Sequence, residues 1–486
     1  YYTLTFRNGG KYVFQGTNLK TAPGNIATLT QIADPYGNQL NFTYTGGNLT
    51  GIADNLGISG RTGLVLTYTG NQLKDITDWS GRKWSYTYDS YGNLQSVINP
   101  IPKTIQYSYS PAGGHNLALV TLPESRGGVP VTTAFKYYQN GKTFNYSNSL
   151  GHTETMDYDL YRKSTRVTDP RGFIREYEYD QNGLMTKLTE PDNGILMFDN
   201  TANLLRYKKT DGLGYTTTYS YRSDLATTGA SDTGGNVTQE KDSLTNTLQY
   251  SYDIYDQVSR TKDKNGNVRT MAYYSATNPA IDAVMGKLQS VTLNSLNGAA
   301  NVLLQSYAYY PDGNIKQLTE YIDPANPARK RITTYVYQDN GLNPQSVTVS
   351  GSGQSVRTSF TYDNLGRQKT ATLFRRVSNS DPTLIPLANT YEYDNLDRAA
   401  KVTDPLGNYM ETIYDGDGKV YQVIGHFKKP DATFDVRTVV TKQYDAADRL
   451  ISDTDIYGNV TQYAYDQAGN LIETKIGCAA GRERMY

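Results

Sequence analysis

Three histidines are the residues of this sequence best suited to general acid–base chemistry. His115, His152 and His426 each lie in a glycine-containing, turn-like context. A hydrolase could combine one of them with a serine and an aspartate, because a catalytic triad is defined by geometry and not by order along the chain. Serine and aspartate are so common here that chance partners are expected. We therefore predict no catalytic residues and no enzyme, and a hydrolase in the irregular stretches is the least favoured alternative.

The single cysteine and two aspartate clusters are the other candidates for chemistry. Cys478 lies among small residues without an evident base, and we interpret it as a bystander thiol. The clusters at 415–418 and 453–455 resemble fragments of a calcium loop, which requires glutamate at position twelve. That position holds His426 in one case and Ala464 in the other. We predict turn-forming aspartates with no metal and no cofactor, while a looser calcium site between stacked turns stays open.

The composition restricts the possible partners. Lys+Arg and Asp+Glu both number 47, so there is no basic surplus for nucleic acid. No run of about 18 apolar residues could form a membrane span. The chain has 44 Tyr against 11 Phe, and a tyrosine ring packs in apolar surroundings while its hydroxyl needs a partner or water. Such rings could also stack on sugars, so carbohydrate is a possible partner.

A tyrosine–aspartate unit recurs along the chain with a period of about 21 residues. Intact copies are 21 residues apart from Tyr252 to Tyr273 and from Tyr393 to Tyr414. This period fits two short strands and two turns, which is one β-hairpin per unit. The signature residues of the clearest copies are Tyr86, Tyr88, Asp89, Gly92, Tyr177, Tyr179, Asp180, Gly183, Tyr362, Asp363, Gly366, Tyr391, Tyr393, Asp394, Tyr463, Tyr465, Asp466 and Gly469.

Each position of the unit has a physical reason. Side chains alternate along a strand, so both rings of Tyr-x-Tyr lie on one face, where we expect them to stack on rings of the next hairpin. The aspartate can accept hydrogen bonds from backbone N–H groups two residues on. The glycine tolerates the positive φ that a tight turn requires. A second turn, Asp-Pro-x-Gly, begins at Asp34, Asp169 and Asp404 and has the signature of a β-turn.

These signals predict an all-β fold of tandem antiparallel β-hairpin repeats. We expect one repeat domain over residues 1–476 and a short non-repeat tail over 477–486. Tyr1 lies within a strand-like pattern, and we interpret the chain as a fragment or a mature product. Residues 277–286 could form one short helical turn. Three stretches lose the period and are expected to be longer loops or degenerate repeats: 111–130, 224–248 and 376–389.

The repeated unit and its Asp-Pro-x-Gly turns resemble the YD-repeat, or Rhs-repeat, family over nearly the whole chain. This resemblance implies a long β-sheet wound spirally into a hollow shell or tube, which in bacterial toxin systems encloses a C-terminal toxic polypeptide. Members with cargo carry a core motif with aspartates that cut the chain. Here 404–407 reads as an ordinary turn followed by further repeats, so self-cleavage and toxin activity are not expected.

The resemblance predicts a structural role as a shell or tube wall in a secreted bacterial Rhs-type protein that encapsulates or delivers a polypeptide. The alternative is an extracellular fibre or adhesin that binds sugars or partners. The expected partners are a polypeptide cargo or adjoining repeats of a longer chain, with homo-assembly into a filament as a further possibility. The expected location is extracellular or on the cell surface.

Overall fold

The protein forms one continuous antiparallel β-meander in this computed structural model. The chain alternates extended segments with short turns that contain glycine, asparagine or aspartate, as expected for hairpins. The structure describes residues 1–6, 9–16, 27–110, 115–221, 235–253, 255–274, 286–294, 301–323, 326, 328–338, 341–376, 383–477 and 483–485.

Over the described residues the sheet has 40 strands. The first twenty are β1 Tyr2–Thr5, β2 Lys11–Gln15, β3 Thr28–Ala33, β4 Gln39–Thr45, β5 Asn48–Asp54, β6 Leu64–Thr69, β7 Gln72–Thr77, β8 Lys83–Tyr88, β9 Leu94–Ile98, β10 Thr104–Tyr109, β11 Leu117–Arg126, β12 Val129–Tyr137, β13 Thr143–Asn148, β14 Thr153–Asp159, β15 Ser164–Thr168, β16 Ile174–Tyr179, β17 Met185–Thr189, β18 Ile195–Asn200, β19 Arg206–Thr210 and β20 Thr216–Tyr221. The others are β21 Val237–Asp242, β22 Thr247–Tyr252, β23 Val258–Lys262, β24 Val268–Tyr273, β25 Leu288–Asn294, β26 Val302–Tyr309, β27 Ile315–Tyr321, β28 Lys330–Gln338, β29 Asn343–Gly351, β30 Gln354–Tyr362, β31 Gln368–Arg376, β32 Leu384–Tyr393, β33 Ala399–Thr403, β34 Tyr409–Tyr414, β35 Val420–Lys428, β36 Phe434–Tyr444, β37 Leu450–Asp455, β38 Val460–Tyr465, β39 Leu471–Gly477 and β40 Glu483–Met485.

Each strand from β2 to β39 pairs antiparallel with the strand before it and the strand after it in the chain. Among the described residues, β1 pairs only with β2 and β40 only with β39, so hydrogen bonding between strands does not close the sheet. Within the described ranges no residue is α-helical, and none forms a helix that could cross a membrane. The prediction of an all-β fold of tandem antiparallel hairpins is confirmed.

The sheet has little buried core. Its accessible surface is 29546 Å², whereas a compact protein of 54.1 kDa would expose about 18,000 Å². Among the described residues the buried apolar side chains are only Leu66, Val131, Phe198 and Ala446. Both faces of the sheet are therefore largely uncovered by other parts of the chain.

The stretches that lose the repeat period contain more strand than a loop interpretation allows. Strands β11, β21 and the start of β32 lie within them. The repeat pattern is interrupted in β11, where the register of its pairing with β12 shifts between Thr121 and Ser125. The possible helical turn falls almost wholly outside the described residues, as does Cys478. In the expected tail, β40 pairs with β39, and the domain boundary at 476 remains a prediction.

Candidate functional site: repeat turns and the seam between windings

The aspartate of each unit organises a five-residue turn. In the copy at Asp89, one carboxylate oxygen accepts hydrogen bonds of 2.9 Å from the backbone N–H groups of Tyr91 and Asn93. The other oxygen accepts a bond of 2.9 Å from the Asn93 side chain. The backbone N–H of Gly92 donates to the Asp89 carbonyl at 3.1 Å. The carboxylate accepts from residues i+2 and i+4 in the same way at Asp180, Asp363 and Asp394.

At Asp89 these hydrogen bonds favour the ionised carboxylate. The bond from the Asn93 side chain is the main cause that lowers the pKa of Asp89, and backbone donors add to it. At Asp242 a hydrogen bond from the Lys264 ammonium, reinforced by Asn246, lowers the pKa to about 2. Ionised carboxylates are stronger acceptors than neutral groups, so the negative charge stabilises the turn.

The fourth turn residue has a left-handed backbone conformation. It is glycine in most copies, with φ of 81° at Gly183 and 79° at Gly366. In three copies it is an aspartate, with φ of 65° at Asp397, 63° at Asp448 and 63° at Asp256. Aspartate visits this region more readily than most residues, but glycine does so without steric cost. Asp397 and Asp448 therefore need a compensating interaction.

The second tyrosine of the unit joins each repeat to the preceding one. Its hydroxyl donates to the carbonyl of the residue that follows the preceding turn, as from Tyr273 to Val258 at 2.8 Å and from Tyr465 to Leu450 at 2.8 Å. The ring thus spans one hairpin, and its polar tip is satisfied by backbone. The same bond is made by Tyr109, Tyr221, Tyr252, Tyr362, Tyr393, Tyr414 and Tyr444.

This hydroxyl bond depends on the preceding turn. Among the described residues, Tyr88 and Tyr179 make no such bond to a carbonyl. In the hairpin before Tyr88, only two residues separate the paired residues Thr69 and Gln72. In the hairpin before Tyr179, the last paired residues are Asp159 and Ser164, with residues 160–163 between them. Both turns are shorter than the five-residue turns before Tyr273 and Tyr465, whereas Tyr252 and Tyr309 make the bond after longer connections between the preceding strands.

Ring stacking is less regular than the sequence suggested. Rings of neighbouring hairpins meet edge to face at Tyr274–Tyr309 and Tyr310–Tyr337, with centroids 6.0 and 5.9 Å apart. Tyr307 and Tyr309 of one strand stack at 6.5 Å. The contact that recurs between repeats in the described chain is the bond from the tyrosine hydroxyl to a backbone carbonyl.

Arginine at the fifth turn position links several consecutive units. Arg367 donates to the Asp363 carboxylate at 2.7 Å and to the Asp394 carbonyl at 3.0 Å. Its guanidinium also lies 4.8 Å from the ring centroid of Tyr393. Arg449 makes the same three kinds of contact further along the chain, with Asp445, Asp466 and Tyr465. Each such arginine therefore binds its own turn and the next one.

A β-bulge precedes the second tyrosine in nearly every unit. The register shifts between Thr87 and Tyr88, and again between Thr361 and Tyr362. Bulges of this kind bend the strand and increase its twist. Because they recur once per hairpin, their bends add up along the meander. The sequence analysis missed these bulges, although a five-residue turn with a left-handed fourth position is a known signal for them.

The bent sheet returns on itself and forms a seam between two windings. We call the edge with the turns after odd-numbered strands the upper edge, and the opposite edge the lower edge. Trp79 in the β7–β8 turn donates to the carbonyl of Asn364 in the β30–β31 turn at 3.0 Å. The ring of Tyr36 in the β3–β4 turn lies against Gly313 in the β26–β27 turn. Both contacts join an upper-edge turn to a lower-edge turn 23 strands later.

Ion pairs along the seam also join the upper edge to the lower edge, at an offset of 25 strands for Arg82–Asp397 and of 23 strands for Arg171–Asp466. Arg82 binds Asp397 at 2.6 Å, and Arg171 binds Asp466 at 2.9 Å. The arginines lie on the upper edge of the first winding and the carboxylates on the lower edge of the second. Asp397 is also bound by Arg367 at 2.9 Å. The left-handed aspartate at 397 therefore has a compensating interaction on the seam.

Arg126 is the most buried cation of the described seam. It lies within 2.9 Å of both Asp415 and Asp448 and within 3.3 Å of Asp417. The Asp417 side chain is only 1 % exposed, and it accepts a backbone hydrogen bond from Glu124 at 2.9 Å. Burial raises the pKa of Asp417 in spite of the neighbouring guanidinium. One arginine is thus the shared cationic partner of three aspartates of the next winding.

The histidines and aspartate clusters considered for chemistry have structural contacts. His426 stacks on Tyr409 with centroids 4.1 Å apart and bonds Glu411 at 3.0 Å. His115 contacts the Asn93 side chain, and the backbone N–H of His152 donates to the turn residue Asn148 at 3.1 Å.

The aspartate clusters bind neighbouring protein groups. The cluster at 415–418 binds Arg126, and Asp453 accepts the Tyr463 hydroxyl at 2.8 Å. Over the described part of the chain, no three His, Cys, Asp or Glu side chains come together as metal ligands.

Comparison with known proteins agrees with the repeat unit. The family model described as RHS Repeat matches residues 165–195 and 439–483. No curated protein sequence matches the chain. Solved structures with a similar course include the crystal structure of TcdB2-TccC3, at 12% identity and a TM-score of 0.48, which covers 97% of this chain and 30% of that one.

Two other solved structures resemble the chain at a similar level. TcdB2-TccC3 without its hypervariable C-terminal region has 11% identity, a TM-score of 0.46 and coverage of 100% of this chain and 34% of that chain. The Tc holotoxin pore of Photorhabdus luminescens has 12% identity, a TM-score of 0.33 and coverage of 96% and 30%. This chain spans about a third of the length of these structures. Two segments of the chain therefore match the Rhs repeat, and the tyrosine–aspartate units resemble that repeat in the rest of the described chain.

Proposed function

We propose that the chain forms part of the wall of a hollow shell that encloses an unfolded polypeptide. The observation that carries this proposal is the seam, since a sheet can meet its own edge only after going round. Twenty-three strands at a spacing of about 4.8 Å give a perimeter of about 110 Å. A round cross-section of that perimeter has a backbone diameter of about 35 Å.

The width of the lumen supports an unfolded cargo. Side chains on the inner face take up about 5 Å on each side, half the usual spacing of packed sheets, which leaves about 25 Å. A folded domain of about 100 residues has a radius of gyration of about 13 Å, which corresponds to a sphere about 33 Å across. Such a domain is too wide, whereas extended chain or a single helix fits. The large uncovered surface of the sheet is consistent with an open interior.

A structural role also accounts for the polar groups that sequence reasoning considered for other functions. The hydroxyls of Tyr273, Tyr393 and Tyr465 donate to backbone carbonyls, so their donor hydrogens are not available to a sugar. The arginines and aspartates of the turns bind one another. We propose on the same grounds that the protein acts without catalysis, and the Rhs repeat supports secretion or display outside the cell.

Cryo-electron microscopy of the purified protein tests the shell directly. We expect a ring-shaped cross-section with an empty or weakly filled lumen about 25 Å wide. Density that fills the interior with ordered protein packed on both faces of the sheet would contradict the proposal.

Protection from a protease tests the cargo class. The repeat protein is denatured and then refolded in the presence of reduced and alkylated lysozyme, which stays unfolded. Native lysozyme is the matched control. We expect the unfolded polypeptide to co-purify and to resist digestion that destroys it when it is alone. Equal retention of both forms, or retention of neither, would refute the enclosure of an unfolded chain.

A further inference from the structure

The β11–β12 hairpin reaches beyond the wall of the first winding. Strands β11 and β12 have 10 and 9 residues, whereas the neighbouring strands β10 and β13 have 6 each. Strand β10 pairs with β11 only as far as Thr121, and β13 pairs with β12 only as far as Thr133. We call residues 122–131 the hairpin tip. Within the described chain, the hairpin tip pairs with no strand outside its own hairpin.

The hairpin tip is joined to the wall by an interrupted ladder. The register between β11 and β12 shifts between Thr121 and Ser125, and two pairs of facing residues follow before the turn at 127–128. Pro123 and Pro130 lie in this part of the hairpin, and proline has no backbone N–H to donate to a ladder. Irregular pairing of this kind bends a strand. The connection between the hairpin tip and the wall is therefore suited to act as a hinge.

Charged groups hold the hairpin tip on the second winding. The backbone N–H of Glu124 donates to the Asp417 carboxylate at 2.9 Å, and the backbone N–H of Gly416 donates to the Glu124 carboxylate at 2.8 Å. Arg126 adds its ion pairs with three aspartates of the β34–β35 and β36–β37 turns. Lys103 binds Glu124 at 3.0 Å from the first winding. Salt screens the charges that become exposed when the hairpin tip leaves, so salt favours the separated state.

The receiving side is held together within the second winding. Lys419 of the β34–β35 turn binds Asp448 of the β36–β37 turn at 3.0 Å. The backbone N–H groups of Asp417 and Lys419 donate to the Asp415 carboxylate at 3.0 and 2.9 Å. These contacts do not involve the hairpin tip. Both turns can therefore keep their conformation when the hairpin tip departs.

We propose that the hairpin tip is a latch that swings off the second winding about the register shift in β11 and opens the seam while the strands stay paired. The bond from Glu124 to Asp417 joins residues 293 apart in the sequence, whereas the ladders of the wall join consecutive strands, so the two can break separately. Such a local opening breaks few contacts and needs less free energy than unfolding. The latch gives the shell a place to open, and this consequence alone rests on the proposed function.

Hydrogen exchange of the full chain, measured by mass spectrometry with residue resolution, tests the latch. The amides of Glu124 and Gly416 donate across the seam, so they exchange when the latch opens. Raising NaCl from about 0.1 M to about 1 M shortens the screening length from about 10 Å to about 3 Å, and we expect both amides to exchange about tenfold faster. Amides of β8–β10 should change less than about twofold. No acceleration at the two seam amides, or equal acceleration in β8–β10, would overturn the proposal.

A disulfide across the latch compares the closed and the released state in one variant. A Cβ atom added to Gly416 would lie 3.0 Å from Cδ of Glu124, so Glu124→Cys with Gly416→Cys places two thiols within reach of each other. Cys478→Ser in the same chain removes the other thiol. In about 1 M NaCl the hairpin tip should exchange slowly when the variant is oxidised and about tenfold faster when it is reduced.

Circular dichroism establishes that both forms of the variant keep their strand content. A disulfide that does not form in the folded protein, or equal exchange of the hairpin tip in the oxidised and reduced forms, would refute the latch. These measurements require neither a lumen nor a cargo. The latch and the enclosure of a polypeptide can therefore each fail without the other.

Discussion

Replacing Arg126 by methionine should destabilise the seam more than any other single change of a charged side chain. The guanidinium is 11 % exposed and is the shared partner of Asp415, Asp417 and Asp448. Methionine retains much of the length of the side chain but leaves three partly or fully buried carboxylates without their main cation. Removal of one partner from a buried ion pair usually costs about 3–5 kcal/mol. We expect about 3 kcal/mol, because Lys419 still binds Asp448 at 3.0 Å.

Urea unfolding at pH 7, followed by circular dichroism, measures this loss. Arg437→Met is the matched control, since Arg437 pairs with Asp435 on the surface at 2.6 Å, and it should cost less than about 0.5 kcal/mol. Adding Asp417→Asn to Arg126→Met should restore part of the stability, because it removes the most buried of the unpaired charges. Equal losses for Arg126→Met and Arg437→Met would refute the assignment of Arg126 as the centre of the seam.

Acid should reduce the effect of the Arg126→Met change. Burial raises the folded-state pKa of Asp417, so its contribution to stability is greatest at low pH, where the carboxyl is protonated, and falls as pH rises through that pKa. Without Arg126 the penalty on the ionised form increases. The difference in stability between the variant and the unaltered protein should therefore shrink as pH is lowered towards about 4. A difference that is constant between pH 7 and pH 4 would contradict this account.

Two further changes test the repeat unit itself. Tyr414→Phe removes the hydroxyl bond to the Ala399 carbonyl, made at 3.0 Å, and should cost about 1 kcal/mol in urea unfolding. Tyr91→Phe, at an exposed turn tip, should be neutral, and equal effects would show that the bond does not matter. The ionised Asp242 cap has a pKa of about 2, so its contribution is fully present above about pH 3.9 and is lost as pH falls towards about 2. Carboxyl titration by NMR checks this, and an Asp242 value near about 3.9 would contradict it.

The sequence predicts the turns well because their interactions are local. The carboxylate of Asp363 reaches only residues i+2 and i+4, and the residue types at those positions are visible in the repeat. The period of 21 also places consecutive hairpins side by side. It does not specify which atom the tyrosine contacts, because the hydroxyl of Tyr393 reaches the Gln368 carbonyl only with the bulge before Tyr393.

The seam is the part of the structure that the repeat pattern does not determine. Arg82 and Asp397 are 315 residues apart, and each resembles an ordinary solvated turn residue. The number of strands in one winding depends on bends and twists accumulated over many hairpins. A small change in each bulge would alter the strand offset by one or two. Local rules therefore predict a curved meander but not the register in which its edges meet.

Departures from the repeat provide the signal that could have located the seam. An aspartate in place of glycine at the left-handed turn position is unfavourable in isolation. Asp397 and Asp448 both occur on the lower edge of the second winding, where arginines of the first winding bind them. Asp256 has the same conformation away from the seam, with φ of 63°, and contacts Asn236 instead. A left-handed aspartate alone is therefore ambiguous, and its pairing with a turn arginine about 320 residues earlier is what distinguishes a seam residue. The regular repeat units form the wall, and residues that depart from the repeat determine the register in which one winding contacts the next.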